Sequence, residues 1–515
     1  MSDFVSVLTP NPNLTVADYD AGIGPGASTD LATGDIRRKY NFGTRVSELS
    51  IAQDPFFRFV SKVAKKPTDD PQFKYTEKRP SFHKRYAYVG ALYDSGAAWD
   101  DDSDFGAAKA AGDSIKVRMI TDYKNQGNVQ NIYGNTGREF KIGATGTLPK
   151  FFLAGQIVKI PMAASAGGAV TDYILMRIDS TPVEYSGNGS YNDATIIATN
   201  NPDMVELSGT VVKAGSSGNS RYLSATASID DASTVTPSDD VIASTLEPMR
   251  SYVVGTAHQE GSGFPETWID QPYASQYGLT QIWKTSMAMT NTARATVLKF
   301  EANEWARTWK EKLVEHKWDI ETSLLFGSQY TDNNSIQYTQ GAVDYIMQYG
   351  NQFSLAIATK TQDDFLDDLS SYVDPRYNDS KATVFFCNTA VYNWLHKLSG
   401  YFANNLEISA NFRADMSLTG KKKVFGVDIS TFSTVYGDMN VARNIHLDGT
   451  NVKMLGVNMK NCSYRPLVGN GINRDTSVYV GVQTLENSGV DRRVDQVLTE
   501  AGMEWSMAES HAVWT

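Results

Sequence analysis

The longest stretch with a helical period covers residues 286–326 and contains neither Pro nor Gly. Its apolar residues recur in steps of three, four or seven, which keeps one stripe of a helix facing one way; they are Leu298, Ala302, Trp305, Trp309, Leu313, Ile320 and Leu324. At about 1.5 Å per residue this helix would reach roughly 60 Å. The pattern predicts a rod whose apolar stripe, with its tryptophans, packs on a long partner surface, so that Trp309→Asp abolishes folding. A buried helix of an ordinary α/β domain is the alternative.

Both ends of this stretch carry helix-boundary residues. Thr285 or Ser286 can accept a hydrogen bond from the first free backbone N–H groups, and Gly327 can take the left-handed conformation that closes a helix. Upstream, a short helical pattern over residues 35–63 is broken at Pro55. We expect the phenylalanines after Pro55 to anchor packing.

Between residues 115 and 252 the apolar positions alternate with polar ones, and Gly, Ser and Asn cluster between the alternating segments. A period of two with turn residues at short intervals is typical of strands. The pattern predicts a compact all-β insertion at roughly residues 143–243.

The second half of the chain mixes both periods. It predicts an acidic amphipathic helix at 363–373, a buried strand at 382–387, a helix at 389–402, and strands at 421–437, 451–459 and 476–487. Helices and strands in this arrangement give an α+β chain that carries an all-β insert.

Composition narrows the class of protein. The 515 residues suffice for two to four domains, and the net charge of -11 argues against a protein that grips nucleic-acid phosphates along its whole surface. The N-terminus lacks the pattern of a secretory signal, and the sequence has no apolar run of the ~18 residues that a membrane span needs. We expect a protein made in the cytoplasm without a membrane segment.

Two charged segments are candidate contact surfaces. A basic segment at 65–88 places cations between aromatic rings; its candidate residues are Lys74, Lys78, Arg79, Lys84 and Arg85. This mixture of cations and aromatic rings is typical of a surface that binds single-stranded nucleic acid or an acidic partner subunit. The acidic chain favours the partner subunit.

An acidic segment at 94–104 offers such a partner surface. Its candidate residues are Asp100, Asp101, Asp102 and Asp104. Its spacing partly matches a calcium loop, but Gly106 comes one position late and Ala111 replaces the bidentate Glu. These departures favour a solvated acidic loop over a metal site.

Catalytic motifs are absent from the sequence. The six histidines show no HExxH or HxH spacing, and the chain has neither a GxSxG elbow nor a GxxxxGK[ST] loop. Cys387 and Cys462 are too few and too far apart for a disulfide framework or a four-ligand zinc site. We predict a protein that is not an enzyme and that has no catalytic residue, cofactor or metal.

Several segments together resemble a known family. They are QIWKTSMAMTNTA at 281–293, DIETSLLFG at 319–327, TQGAVDYI at 339–346, NCSYRPLVGNG at 461–471 and RRVDQVLTEAGMEWSMAESHAVW at 492–514. In this order they resemble the major capsid proteins of tailed bacteriophages with the Hong Kong 97-type fold. The resemblance covers residues 35–91 and 256–515, and the β insert lies outside it.

The resemblance implies a division of the chain. Its parts would be an N-terminal arm at 1–60, an extended loop region at 61–285 that contains the insert, a spine helix with the start of a peripheral domain at 286–345, an axial domain at 346–450, and a return to the peripheral domain at 451–515. The axial domain would meet its copies at the centre of a hexamer or pentamer. Both charged segments would then contact neighbouring subunits.

The resemblance also implies a function. It implies a virion protein that assembles with itself into an icosahedral head and encloses double-stranded DNA without sequence specificity. Portal, scaffolding and decoration proteins would be its other partners. A phage tail or receptor-binding protein is the alternative, which the β insert would suit and the long helix would not. An enzyme with an unrecognised site is the third hypothesis.

Overall fold

A computed structural model describes residues 54–78, 85–93, 99–100, 104–121, 148–165, 168–185, 204–215, 221–223, 250–265, 273–297, 303–373, 378, 383–403 and 416–515. Within these ranges, Ala52–Asn291 and Thr308–Thr515 belong to one compact unit, and Thr292–Arg307 belongs to a second. Most of the predicted N-terminal arm lies outside the described residues.

Seven α-helices and two short 3₁₀ helices lie in the described residues. The α-helices are α1 Pro55–Val63, α2 Asn291–Ala295, α3 Glu304–Phe326, α4 Ala342–Tyr349, α5 Gln362–Tyr372, α6 Thr389–Ala403 and α7 Leu485–Ser488, and the 3₁₀ helices are Ile445–Leu447 and Ala508–Ser510.

The strands of the described residues fall into two groups along the chain. Those before α2 are β1 Gln72–Glu77, β2 Tyr86–Tyr93, β3 Trp99–Asp100, β4 Ser114–Ile120, β5 Gln156–Ala163, β6 Val170–Ile178, β7 Val183–Tyr185, β8 Met204–Lys213, β9 Tyr222–Leu223, β10 Ser251–Thr256, β11 Ala274–Leu279 and β12 Gln281–Thr290. Those after α3 are β13 Tyr330–Thr331, β14 Gln337–Tyr338, β15 Asn351–Phe353, β16 Thr383–Cys387, β17 Met416–Val424, β18 Val427–Thr434, β19 Gly437–Arg443, β20 Met454–Asn458, β21 Cys462–Pro466, β22 Val468–Gly469, β23 Ile472–Asn473, β24 Ser477–Gln483, β25 Arg492–Trp505 and β26 Ala512–Trp514.

Six of the early strands close into an antiparallel barrel. They follow the order β10-β2-β4-β8-β6-β5, and β5 pairs back with β10. Alternate side chains point inward and fill a core of their own, which includes Val117, Val158, Ile160, Ile174 and Leu207. Closure leaves these six strands without a free edge along the barrel wall.

The barrel is larger than the predicted insertion at 143–243. It also takes in β2 and β4 before that range and β10 after it. The predicted range was too short because turn residues alone do not reveal which distant strands pair. β10 pairs with both β2 and β5, and in each case the paired residues lie more than 90 positions apart in the chain. A two-stranded ribbon of β1 and β11 leads to the barrel.

A four-stranded antiparallel sheet holds the longest strand, β25. β12 pairs along residues 492–501 of β25, while β24 and β21 share its other side. Buried side chains of this sheet, among them Trp283, Met503 and Trp505, pack with Ile320 and Leu324 of α3.

A seven-stranded mixed sheet forms the other main layer. Its order is β15-β26-β20-β16-β19-β18-β17, so β15 and β17 are its two edges. β16 is buried at every position, as its apolar sequence predicted. Phe365 and Tyr372 of α5 contact Trp514 of β26, whereas Tyr392 and His396 of α6 contact β18.

The prediction of one helix from 286 to 326 was wrong in its first third. Residues 281–290 form β12, in which Trp283, Thr285 and Met287 are buried and their neighbours in sequence face outward. This period-two burial, together with pairing to β25 over ten residues, outweighs the helical spacing of the apolar positions. Neither Thr285 nor Ser286 is therefore a helix cap. The helix α3 spans 23 residues, or about 35 Å.

Two other boundary predictions change. Pro55 starts α1 rather than breaking a helix, since a proline at the first helical position has no N–H to satisfy. Gly327 follows α3 as predicted, but its φ is not positive. A Cβ there would lie 2.5 Å from the Ser323 carbonyl oxygen and 2.9 Å from that of Thr339. Glycine at 327 thus permits close backbone packing.

Candidate functional site

The structure describes three of the five basic candidates. Lys74 is exposed on β1, opposite Tyr277 of β11. The Lys78 ammonium lies 5.3 Å from the centre of the Tyr273 ring, and Arg85 is exposed just before β2. Arg79 and Lys84 lie outside the described residues. The ribbon therefore carries the cation and aromatic mixture that the sequence indicated, at the point where the chain enters the barrel.

The acidic candidates do not behave as one patch. Asp104 binds Arg221 of its own chain through two hydrogen bonds of 2.8 and 2.7 Å, and Arg221 lowers the pKa of this carboxyl. Asp104 is thus already paired within the barrel, a contact that the spacing of the aspartates could not show. Asp100 lies in β3, and Asp101 and Asp102 are outside the described residues.

Helix α3 buries its C-terminal half rather than its tryptophan stripe. Ile320 and Leu324 are buried as predicted, whereas Trp305, Trp309 and Leu313 are only half-buried. The stripe was correctly placed on one face, but sequence spacing does not say how far the covering sheet extends. Half-buried tryptophans leave apolar surface that a second molecule could cover.

Two polar residues of α3 that the sequence did not single out for a site fix its position. His316 is buried, with Nδ1 2.9 Å from the Thr285 hydroxyl of β12 and Nε2 2.8 Å from the Thr499 hydroxyl of β25. Burial lowers its pKa. His316 precedes Ile320 and Leu324 by one and two helical turns and so lies on the same face of α3. This spacing is the feature of the sequence that could have predicted that His316 faces the sheet.

Glu321 joins three segments of the chain. Its carboxylate accepts hydrogen bonds from the backbone N–H groups of Phe56 (3.1 Å) and Phe57 (2.6 Å) and from Asn444 Nδ2 (2.8 Å). The first two are free N–H groups of the first turn of α1, where a carboxylate is favoured. Asp54, at the usual capping position, makes no cap bond. Burial raises the pKa of Glu321 to about 7, against the lowering effect of the three donors.

Strand β24 exposes apolar side chains to water. Val478, Val480 and Val482 are 48%, 66% and 44% exposed, and Leu485 of α7 and Val490 after it are exposed to a similar degree. Only its pairing with β25 is seen in the described part of the chain. A cluster of exposed β-branched residues beside a sheet edge is typical of a surface that meets another protein.

In the described ranges, His, Cys, Asp and Glu side chains do not come together in threes that could hold a metal ion. Cys387 and Cys462 are both buried and free. No helix among the described residues has the length and apolarity to cross a membrane.

Comparison with known proteins assigns the chain to a family. A sequence model of the family described as SU10 major capsid protein matches residues 28–515. The chain belongs to the SU10 major capsid protein family. This family is one of structural capsid proteins and not of enzymes, so the prediction of a phage major capsid protein is confirmed.

Individual relatives of this SU10-family capsid protein are distant. The "Major capsid protein" of Pseudomonas phage PaMx41 is 24% identical over 223 residues, which is 39% of this chain, and the chain spans about half (53%) of that relative. Among solved structures, one of Microbacterium phage Oxtober96 is 14% identical with a TM-score of 0.33 and covers 50% of this chain and 80% of its own. The capsid of Myoviridae phage XM1 is 10% identical with a TM-score of 0.32, and the match covers 49% of this chain and 80% of that one.

Proposed function

We propose that this chain is the shell-forming subunit of a tailed phage. Copies assemble into hexamers and pentamers, and these form an icosahedral head that encloses double-stranded DNA without sequence readout. The observation that carries the proposal is the family match over residues 28–515. The exposed apolar side chains of β24 and the half-buried tryptophans of α3 support it, because a protein that works as a monomer rarely leaves such surface in water.

The proposed architecture is the Hong Kong 97-type fold. In it α3 is the spine helix, β12, β25, β21 and β24 form the peripheral domain, and the seven-stranded sheet with α5 and α6 is the axial domain. The ribbon of β1 and β11 is the extended loop, and the barrel is inserted at its tip. The axial domain corresponds to 346–450 and the returning peripheral segment to 451–515.

Charged residues of the basic segment at 65–88 are proposed contacts between neighbouring subunits. Lys74 lies on β1 of the ribbon, Lys78 follows β1 and Arg85 precedes β2, and Arg79 and Lys84 belong to the same segment. Asp100, Asp101 and Asp102 remain the proposed acidic counterpart, without Asp104, whose carboxylate binds Arg221.

The remaining partners follow from the shell role. Portal, scaffolding and decoration proteins would contact the assembled shell, and the chain would be made in the host cytoplasm before it enters the virion. A tail or receptor-binding role is less favoured, since the family is one of capsid proteins.

Purification of the full chain, followed by negative-stain microscopy and sedimentation velocity, tests the shell role. We expect closed shells or capsomer-sized rings. Fibres or trimers would support the tail protein instead, and a persistent monomer at high concentration would contradict self-assembly. A chain with Lys74→Glu and Arg85→Glu should fold normally and assemble less well if the ribbon makes the proposed contacts.

A further inference from the structure

One edge of the seven-stranded sheet carries three consecutive lysines. Lys421, Lys422 and Lys423 lie on β17, and all three are exposed. β17 pairs with β18 on one side, and no other strand of the described residues pairs with its second side. Edge lysines can simply prevent unwanted pairing, or they can bind an acidic surface. We call Lys421, Lys422 and Lys423 the lysine edge.

Within the described part of the chain, the lysine edge has an acidic neighbour on the paired strand, Asp428, which lies opposite Lys423. Its three ammonium groups make no ion pair there, although the charge of Lys421 contributes to lowering the pKa of His396 on α6, after the larger effect of burial. The chain as a whole carries a net charge of -11. A concentrated positive edge on an acidic protein is therefore most readily matched by another copy of the same protein.

The complementary surface is a helix that packs on the face of the same sheet, away from β17. Helix α5 directs Phe365, Leu369 and Tyr372 into the core beside Trp514 of β26, which is next to the edge strand β15. Its outer face exposes Asp363, Asp364 and Asp367. Asp364 caps the helix through Thr361, whereas Asp363 and Asp367 have no side-chain partner among the described residues.

We propose that the lysine edge of one copy binds the acidic face of α5 on the next copy, so that copies join head to tail into a ring. Helix α5 packs over β26, β20 and β16, three or more strands away from β17. The two surfaces are therefore different parts of the chain, so the contact between copies is heterologous. A heterologous contact generates a ring when its rotation closes. The proposal rests on the shell function above and names the surfaces through which the axial domains meet.

Charge reversal on each surface gives a sharp test. One variant carries Lys421→Glu, Lys422→Glu and Lys423→Glu. The other carries Asp363→Lys and Asp367→Lys, which spares the cap at Asp364 and the ion pair of Asp368 with Lys360. Because like charges then face each other, we expect either variant alone to need at least about tenfold more protein to assemble.

A mixture of the two variants should recover assembly. When the chains alternate, each reversed lysine edge meets a reversed α5, so that an equimolar mixture forms even-numbered rings. Lys62→Glu, Lys213→Glu and Lys284→Glu in one chain is the control, since it changes the charge by the same amount at exposed lysines outside the proposed contact surfaces. Sedimentation velocity and negative-stain images report ring formation, and far-UV circular dichroism reports folding.

The outcomes separate this contact from the shell function. If the wild type forms rings and the lysine variant forms them equally well, the proposed contact is wrong, while the shell function is not contradicted. A wild-type chain that stays monomeric would contradict both the shell function and the proposed contact. If the mixture fails while the lysine variant assembles poorly and loses binding to a DNA duplex, the lysines meet phosphates and the proposal is wrong.

Discussion

At the scale of single residues, buried polar groups of α3 decide how the helix is held. His316 bridges two threonine hydroxyls on β12 and β25, and Glu321 caps α1 from a distant part of the chain. Buried groups of this kind specify one arrangement, because any other leaves a donor or acceptor unsatisfied. The chemistry at this scale therefore serves architecture and not catalysis.

Glu321→Gln tests the balance between burial and hydrogen bonding. With a pKa of about 7 in the folded chain and 4.5 in the unfolded chain, Glu321 binds more protons when folded. Its contribution to stability is complete below pH 4.5 and is lost as the pH rises to about 7, a change of about 3 kcal/mol. Gln does not titrate. The stability of the wild type minus that of Glu321→Gln should therefore fall by about this amount between pH 4.5 and 8.

Urea unfolding of the dissociated chains at a series of pH values measures this difference. A difference that stays constant would show that Glu321 is not perturbed. One that grows with pH would show that the three N–H donors outweigh burial. Glu311→Gln, at an exposed position of the same helix, is the control and should give no such trend.

At the scale of elements, α3 has two functional halves. Its C-terminal half is fixed by buried Ile320, Leu324 and Leu325, and the half that carries Trp305, Trp309 and Leu313 keeps part of its apolar surface open. Helical periodicity places all these residues on one stripe but does not distinguish contacts within the chain from contacts between chains. The early expectation that Trp309 is essential for folding changes for this reason.

Alanine substitutions compare the two halves. Leu324→Ala should lower the free energy of unfolding by about 2–5 kcal/mol, because it leaves a cavity in a fully buried site. Trp309→Ala should cost less in the dissociated chain, about 1–2 kcal/mol, since part of the side chain is already exposed to water. Urea unfolding measures both. Equal losses would mean that Trp309 belongs to the folding core of the single chain.

At the scale of the whole molecule, the barrel has its own core. Its buried residues form a cluster distinct from the two clusters around α3 and around Trp514. The ribbon strands β1 and β11 end with Glu77 opposite Ala274, so the chain enters and leaves the barrel at neighbouring positions. An element with a separate core and adjacent ends is expected to fold as an independent unit.

Disruption of the barrel should therefore spare the rest of the chain. Ile160→Asp buries a charge at a fully enclosed barrel position and should abolish the barrel's own melting transition. Replacing residues 79–272 with a short Gly-Ser turn should leave a chain that melts within a few degrees of the remaining wild-type transition. Differential scanning calorimetry follows both changes. Loss of every transition in either variant would show that the barrel is integral to the core.

The sequence by itself determined the class of fold and much of its local structure. The apolar run of β16, the acidic amphipathic α5 and the end of α3 at Phe326 were predicted correctly because burial on one or both faces leaves a period that a single segment shows. The resemblance to phage capsid proteins rested on segments that lie in or next to β12, α3, α4, β21 and β25.

Only the tertiary structure decided what depends on distant partners. Residues 286–290 became a strand because β25 was available to pair with them, the barrel extended to β2 and β10 because these strands close it, and Asp104 became a partner of Arg221. The lysine edge became an edge of the seven-stranded sheet, and α5 came to pack on its face, through pairing of strands that are distant in the chain. Pairing between segments far apart in the chain leaves no local period, so these features could not be read from the order of residues.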